Sequence, residues 1–227
     1  MKHDTHAAPF TSSWTQLQTS IQLVRNNLEP VIILSLLPTL LTQLDALLAR
    51  RHNNASPFLM LAGIAWTLIN MPAVVFLQLK LSRKQTLTVG EAYAKGFPYI
   101  WRILGVMLLT GVLVTLGLVC LIVPGFMLLR RYVLAPYYVI DKNLGIVEAM
   151  KRSWEDSNKA PGYIWGTMAV SVVVSIGATL IGMIFGFIPG APAVITSVLS
   201  LAAFFLLALR YSEIVRHNHS EASSSNS

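Results

Sequence analysis

The sequence predicts an all-α integral membrane protein, a six-span helical bundle with amphipathic interfacial helices. Three observations lead there. Of 227 residues, 54% are hydrophobic and only 12% charged, with a mean hydropathy of +0.61. Soluble domains carry about 25% charged residues, and a globule of this length has too little interior to hide so much apolar surface. The apolar residues also come in runs long enough to cross the hydrocarbon layer, which takes about 20 helical residues. Finally, Lys and Arg collect in alternate connections, the pattern that orients helices in a bilayer.

The elements follow in order. Residues 1–13 are polar and are expected to form a disordered cytoplasmic tail. In residues 14–28, Trp14, Leu17, Ile21, Val24 and Leu28 recur at helical spacing, which predicts an amphipathic helix lying in the interface. Span one is expected over 31–49 and span two over 57–81. Span three covers 97–122, after which Pro124-Gly125 turns the chain. Span four, 126–141, is the shortest and carries Arg130 and Arg131. Residues 144–159 place Leu144, Val147, Met150 and Trp154 on one side of a second amphipathic helix. Span five covers 162–187, Pro189-Gly190 makes the next turn, and span six covers 191–211. The membrane domain thus extends over 14–212. The serine-rich remainder, 213–227, buries too little to fold alone and is expected to be disordered.

Orientation comes from the basic residues. Lys80, Arg83, Lys84 and Lys95 lie between spans two and three, and Lys142, Lys151, Arg152 and Lys159 between spans four and five. The two Pro-Gly turns carry no charge. Arg50 and Arg51 break the pattern, but the majority places both termini in the cytoplasm. The formal net charge of +7 is then explained by topology and by anionic headgroups. Membrane lipids are the expected partners. Nucleic acid is not, because no basic face interleaved with aromatics lies outside the spans.

An internal repeat is legible. Glu91-Ala92 recurs as Glu148-Ala149, and Tyr99-Ile100-Trp101 as Tyr163-Ile164-Trp165. Gly117 and Pro124-Gly125 recur as Gly182 and Pro189-Gly190. Each unit reads as an amphipathic helix, a long span, a Pro-Gly turn and a returning span. Both units have one orientation, so the repeat is parallel.

Within 124–154, Pro124, Gly125, Arg131, Pro136, Asp141, Ala149, Arg152 and Ser153 form an ordered motif. The motif resembles an uncharacterised group of bacterial inner-membrane proteins. Related domains serve as membrane anchors fused to glycerophosphodiester phosphodiesterases. The resemblance implies a helical bundle in the bacterial inner membrane and supplies no activity. The soluble phosphodiesterase domain is absent from these residues.

Few residues could carry chemistry. Arg130 and Arg131 lie about 9 Å into span four from its Pro-Gly end. A charge deep in a bilayer costs several kcal/mol. They either snorkel to headgroups or offer an anionic lipid or substrate a binding site. Neighbouring helical residues point about 100° apart, so the two are expected to face different surroundings. Asp45, near Arg50 and Arg51, reads as an interfacial charge. Asn70 precedes Pro72 and could satisfy backbone groups that the proline frees; otherwise it belongs to a polar pathway. Ala178, Gly182 and Gly186 form a small-residue stripe that packs within the chain or against a second copy, or another membrane protein. The five histidines, His3, His6, His52, His217 and His219, lie in tails and loops without metal-ligand spacing. No catalytic signature is present, and the hydroxyls of span five lack an adjacent base. The sequence therefore predicts no enzyme, metal or cofactor. It leaves a lipid-handling protein or scaffold as the first expectation and a small-solute transporter or channel as the second.

Overall fold

The structure, a computed structural model, describes residues 10–34, 57–85, 87–184 and 191–224. Most of span one lies outside these residues, as do Asp45, Gly186, Pro189 and Gly190. Among the described residues all regular structure is helical. The helices are α1 (Ser13–Asn26), α2 (Pro57–Ser82), α3 (Val89–Gly96), α4 (Ile100–Cys120), α5 (Ile122–Tyr132), α6 (Ala135–Asp141), α7 (Ile146–Lys159), α8 (Pro161–Ile184) and α9 (Ala191–Ser224). A single 3-10 turn, Phe97–Tyr99, joins α3 to α4.

Among the described residues three stretches are long and apolar enough to cross a membrane: Leu61–Ser82, Val89–Cys120 and Pro161–Ile184. They match the expected spans two, three and five. Much of their apolar surface faces outward. Trp101, Leu108 and Val119 on α4 are each more than 70% exposed, and Val173 and Met183 on α8 nearly so or more. Water would not tolerate such a continuous apolar surface, whereas hydrocarbon does.

Packing is by hairpins. α4 and α5 form one and α8 and α9 the other; α3 folds back on α2, and α1 lies against α9. The α4–α5 reversal corrects an expectation. It falls at Leu121, which is extended, and Pro124 and Gly125 sit inside the first turn of α5. A proline fits there because the first helical N–H groups have no intrahelical acceptor. Gly125 serves packing instead. A Cβ on Gly117 would lie 2.9 Å from the Gly125 Cα, and one on Gly125 would lie 2.8 Å from the Leu118 backbone nitrogen. A second close approach seats Gly96 on Pro72, where an added Cβ would stand 2.9 Å from the proline carbonyl oxygen.

Expected span four is two pieces, α5 and α6, separated at Val133 and Leu134. Pro136 accounts for the break. It cannot donate to the carbonyl four residues earlier, and its ring would clash there. At the end of α5 the Arg131 carbonyl oxygen instead accepts the Ser153 hydroxyl at 2.6 Å and that of Ser157 at 3.3 Å.

The two amphipathic helices also bury residues outside the apolar stripes read from the sequence. α1 buries Gln16, Leu17, Ser20 and Val24 and leaves Trp14, Ile21 and Leu28 beyond its C-terminus exposed. Its inner face is partly polar because it meets a hydrogen-bonded cluster. α7 buries Ala149, Met150, Ser153, Asp156 and Ser157, and leaves Val147 73% exposed. Small and hydroxylated side chains are inside because α7 lies close across α5 and α6.

The described residues of the two polar ends, 10–12 and 213–224, make contacts with the bundle. The stretch from Glu213 continues α9 as helix through Ser224, with Ile214 buried. The Phe10 ring stacks on His217 at 4.9 Å and tilts against Tyr163 at 5.1 Å. Tertiary contacts made at one end of α9 thus order segments that could not fold alone.

Candidate functional site

Three charged residues are buried among the described residues: Arg130, Asp156 and Arg210. A buried charge is tolerated when it is paired and hydrogen-bonded, so the partners of each decide its role.

Arg210 is fully buried on α9. Its Nη1 donates to the Glu213 carboxylate at 2.7 Å and to the Thr11 carbonyl at 3.1 Å, and its Nε donates to the Thr167 hydroxyl at 3.0 Å. The Thr11 backbone N–H and hydroxyl also donate to Glu213, and the Gln16 amide donates to it at 2.8 Å. This knot ties the amino-terminal segment to α8 and α9. Its arginine is structural.

Asp156 on α7 is nearly as buried. Arg152 lies 3.2 Å away, Lys159 also 3.2 Å, and the Tyr138 hydroxyl donates to the carboxylate. Beside it, Asp141 takes Arg83 at 2.7 Å and the Tyr211 hydroxyl at 2.8 Å. Tyr211 stacks on Tyr137 and meets Tyr138 edge-on. These contacts join α2, α6, α7 and α9, and every charge in them has a counter-charge.

Arg130 differs. It is only 6% exposed, and its one hydrogen bond runs from Nη2 to the Asn158 side-chain oxygen at 3.3 Å. Arg131 lays its guanidinium face on the Trp154 indole, 3.7 Å from the ring centroid. Among the described residues neither arginine has a carboxylate partner, and the buried Nε of each has no hydrogen-bond acceptor. The expectation of separate surroundings is thus overturned. Both side chains reach α7, at Asn158 and Trp154, which are one turn apart. α7 runs across the end of α5 and collects both guanidinium groups despite their angular separation. Sequence reasoning singled out the arginines but missed Trp154, Ser153, Ser157 and Asn158 as their setting. The available signal was the spacing of these four on one face of α7, opposite the break at Pro136.

Asn70 is spent on architecture. Its amide donates to the Leu34 carbonyl at 3.2 Å, and its oxygen accepts the Tyr93 hydroxyl at 2.5 Å. Gln78 likewise accepts the Tyr137 hydroxyl. Ser171, Ser175 and Thr179 each donate to the carbonyl one turn back. Ala178 and Gly182 are buried on α8, which packs against α9.

The motif of residues 124–154 can now be read in space. Gly125 closes the α4–α5 hairpin, Pro136 breaks the following helix, Ser153 takes up the Arg131 carbonyl, and Asp141 and Arg152 join the paired charges. A helical membrane protein with a motif built around a helix break is the class these features define. The model of the uncharacterised protein family UPF0259 matches residues 53–211, and the chain belongs to that family. It is 31% identical over 93 residues to the UPF0259 membrane protein SG1383 of Sodalis glossinidius (strain morsitans). That match covers 41% of this chain and 37% of the relative. No solved structure matches.

Proposed function

We propose that this chain is a non-enzymatic, multi-pass protein of the bacterial inner membrane that acts on or through anionic lipids, as a lipid-handling element or scaffold. In this reading the bundle has six spans with both termini in the cytoplasm, built in part from a parallel repeat of helical hairpins. Several equivalent positions of the two units have similar burial: Ala92 and Ala149 are fully buried, Gly117 and Gly182 are buried, and Ile100 and Ile164 both face inward, whereas Trp101 is 79% exposed and Trp165 39%.

The carrying observation is that Arg130, alone of the three buried charges among the described residues, has no counter-charge, and that Arg131 beside it has none either. A guanidinium stacked by its face on an indole keeps its N–H fork free in the ring plane, suited to a phosphate. The counter-charge that the protein omits is then supplied by a lipid headgroup. Membrane lipids are the partners in this reading. A homo-oligomer, or assembly with other membrane proteins, would use the outward apolar faces of α4 and α8.

Native mass spectrometry from nanodiscs tests it. Phosphatidylglycerol should be retained in preference to phosphatidylcholine by the natural chain, and the preference should vanish in the double variant Arg130→Gln, Arg131→Gln. An unchanged preference in that variant would overturn the reading. The competing view, a small-solute transporter or channel, needs free polar groups along a path, and the bonded state of Asn70, Gln78 and the α8 hydroxyls weighs against it.

A further inference from the structure

Trp154, which carries the Arg131 guanidinium, also lines an apolar groove of about 620 Å³, within the range of about 300–1,000 Å³ common for ligand clefts. Leu109 and Leu113 of α4 form one wall, Tyr132 of α5 the end, and Val147, Met150 and Trp154 of α7 the other wall. Lys151 and Glu155 edge it, Glu155 being 3.6 Å from Arg152. Trp154 belongs to both features. One face carries the Arg131 guanidinium, and its ring also leans on Tyr132 with 5.7 Å between centroids. Val147, one of the apolar stripe of α7, is 73% exposed and lines this groove.

We infer that the groove seats an acyl chain of the same ligand whose anionic head meets the arginines, so that the substrate class is a diacyl anionic phospholipid rather than a soluble phosphate. The inference rests on the reading of the arginine pair as an anion site. Two features favour this occupant over a partner helix. Trp154 in its wall carries Arg131, a cation with no acid partner among the described residues, and an apolar helix would leave that cation unmatched. Its walls are apolar except at the edge, where Lys151 makes no ion pair among the described residues and Glu155 is paired with Arg152. A headgroup at Arg131 with a chain running along Val147 satisfies both the charge and the shape. Trp154 divides the two environments, as indoles do at membrane interfaces.

The test uses the full chain in nanodiscs containing phosphatidylglycerol or phosphatidylcholine with a photoactivatable diazirine in one acyl chain, followed by mapping of labelled residues. Labelling at Leu109, Leu113 and Val147 should be about tenfold greater with the anionic probe, the ratio expected from one charge-assisted hydrogen bond. It should fall to the phosphatidylcholine level in Arg131→Gln. The variant Val147→Gln, at an exposed position that folding tolerates, should lower labelling in the groove without abolishing headgroup preference. Inorganic phosphate at millimolar concentration should not displace the probe. Arginine-dependent retention with label placed outside the groove would overturn the acyl seat and leave the anion site standing. Loss of all arginine dependence would remove both. Displacement by inorganic phosphate alone would show a soluble anion to be the ligand.

Discussion

Arg210 and Arg130 are both buried arginines on helices, yet their surroundings are opposite. Around Arg210 the protein supplies a carboxylate, a carbonyl and a hydroxyl, and even the carboxylate has further donors on it from Thr11 and Gln16. Around Arg130 it supplies one amide oxygen, and around Arg131 an aromatic face. The contrast teaches how to sort buried charges in a membrane bundle. Where the chain closes the electrostatic circuit by itself, the charge holds helices together. Where it leaves the circuit open, the proposed function has a lipid headgroup supply the missing charge.

Substitutions can break or sharpen this contrast. The largest effect is expected for Glu213→Ala, which strands the Arg210 charge. Removing one partner of a buried pair costs about 3–5 kcal/mol, so thermal unfolding in detergent should show a strong loss, with no change in lipid preference. Asn70→Ala leaves the Tyr93 hydroxyl and the Leu34 carbonyl without their partner and should cost about 1–3 kcal/mol in the same measurement. Trp154→Leu removes the stacking partner of Arg131. A loss of about 0.5–2 kcal/mol is expected, together with loss of phosphatidylglycerol preference. Arg130→Gln should have the smallest effect on unfolding in lipid-free detergent, within about 1 kcal/mol and toward greater stability, because it removes a charge that nothing neutralises. A large destabilisation by Arg130→Gln, equal to that of Glu213→Ala, would erase the distinction between the two arginines.

The fold was legible to the extent that it depends on local composition. Apolar runs, the amphipathic stretch that becomes α7 and the positions of Arg130 and Arg131 could all be read directly, because lipid imposes hydrophobicity residue by residue. What could not be read depends on contacts between distant segments. The reversal at Leu121 was assigned to Pro124-Gly125 because proline and glycine mark turns in most contexts, yet here they serve the start of a helix and a close helix crossing. The helical state of Glu213–Ser224 depends on Phe10 and Thr11, about 200 residues earlier. The convergence of both arginines on α7 depends on the break at Pro136. The motif residue was visible, but the geometry that it produces was not.

The knot around Arg210 and Glu213 also orders events in time. Thr11 leaves the ribosome 202 residues ahead of Glu213, so the segment near Thr11 waits for those residues to be made before its docking site exists. A chain stopped short of α9 would therefore leave the segment around Thr11 undocked as well as lose a helix.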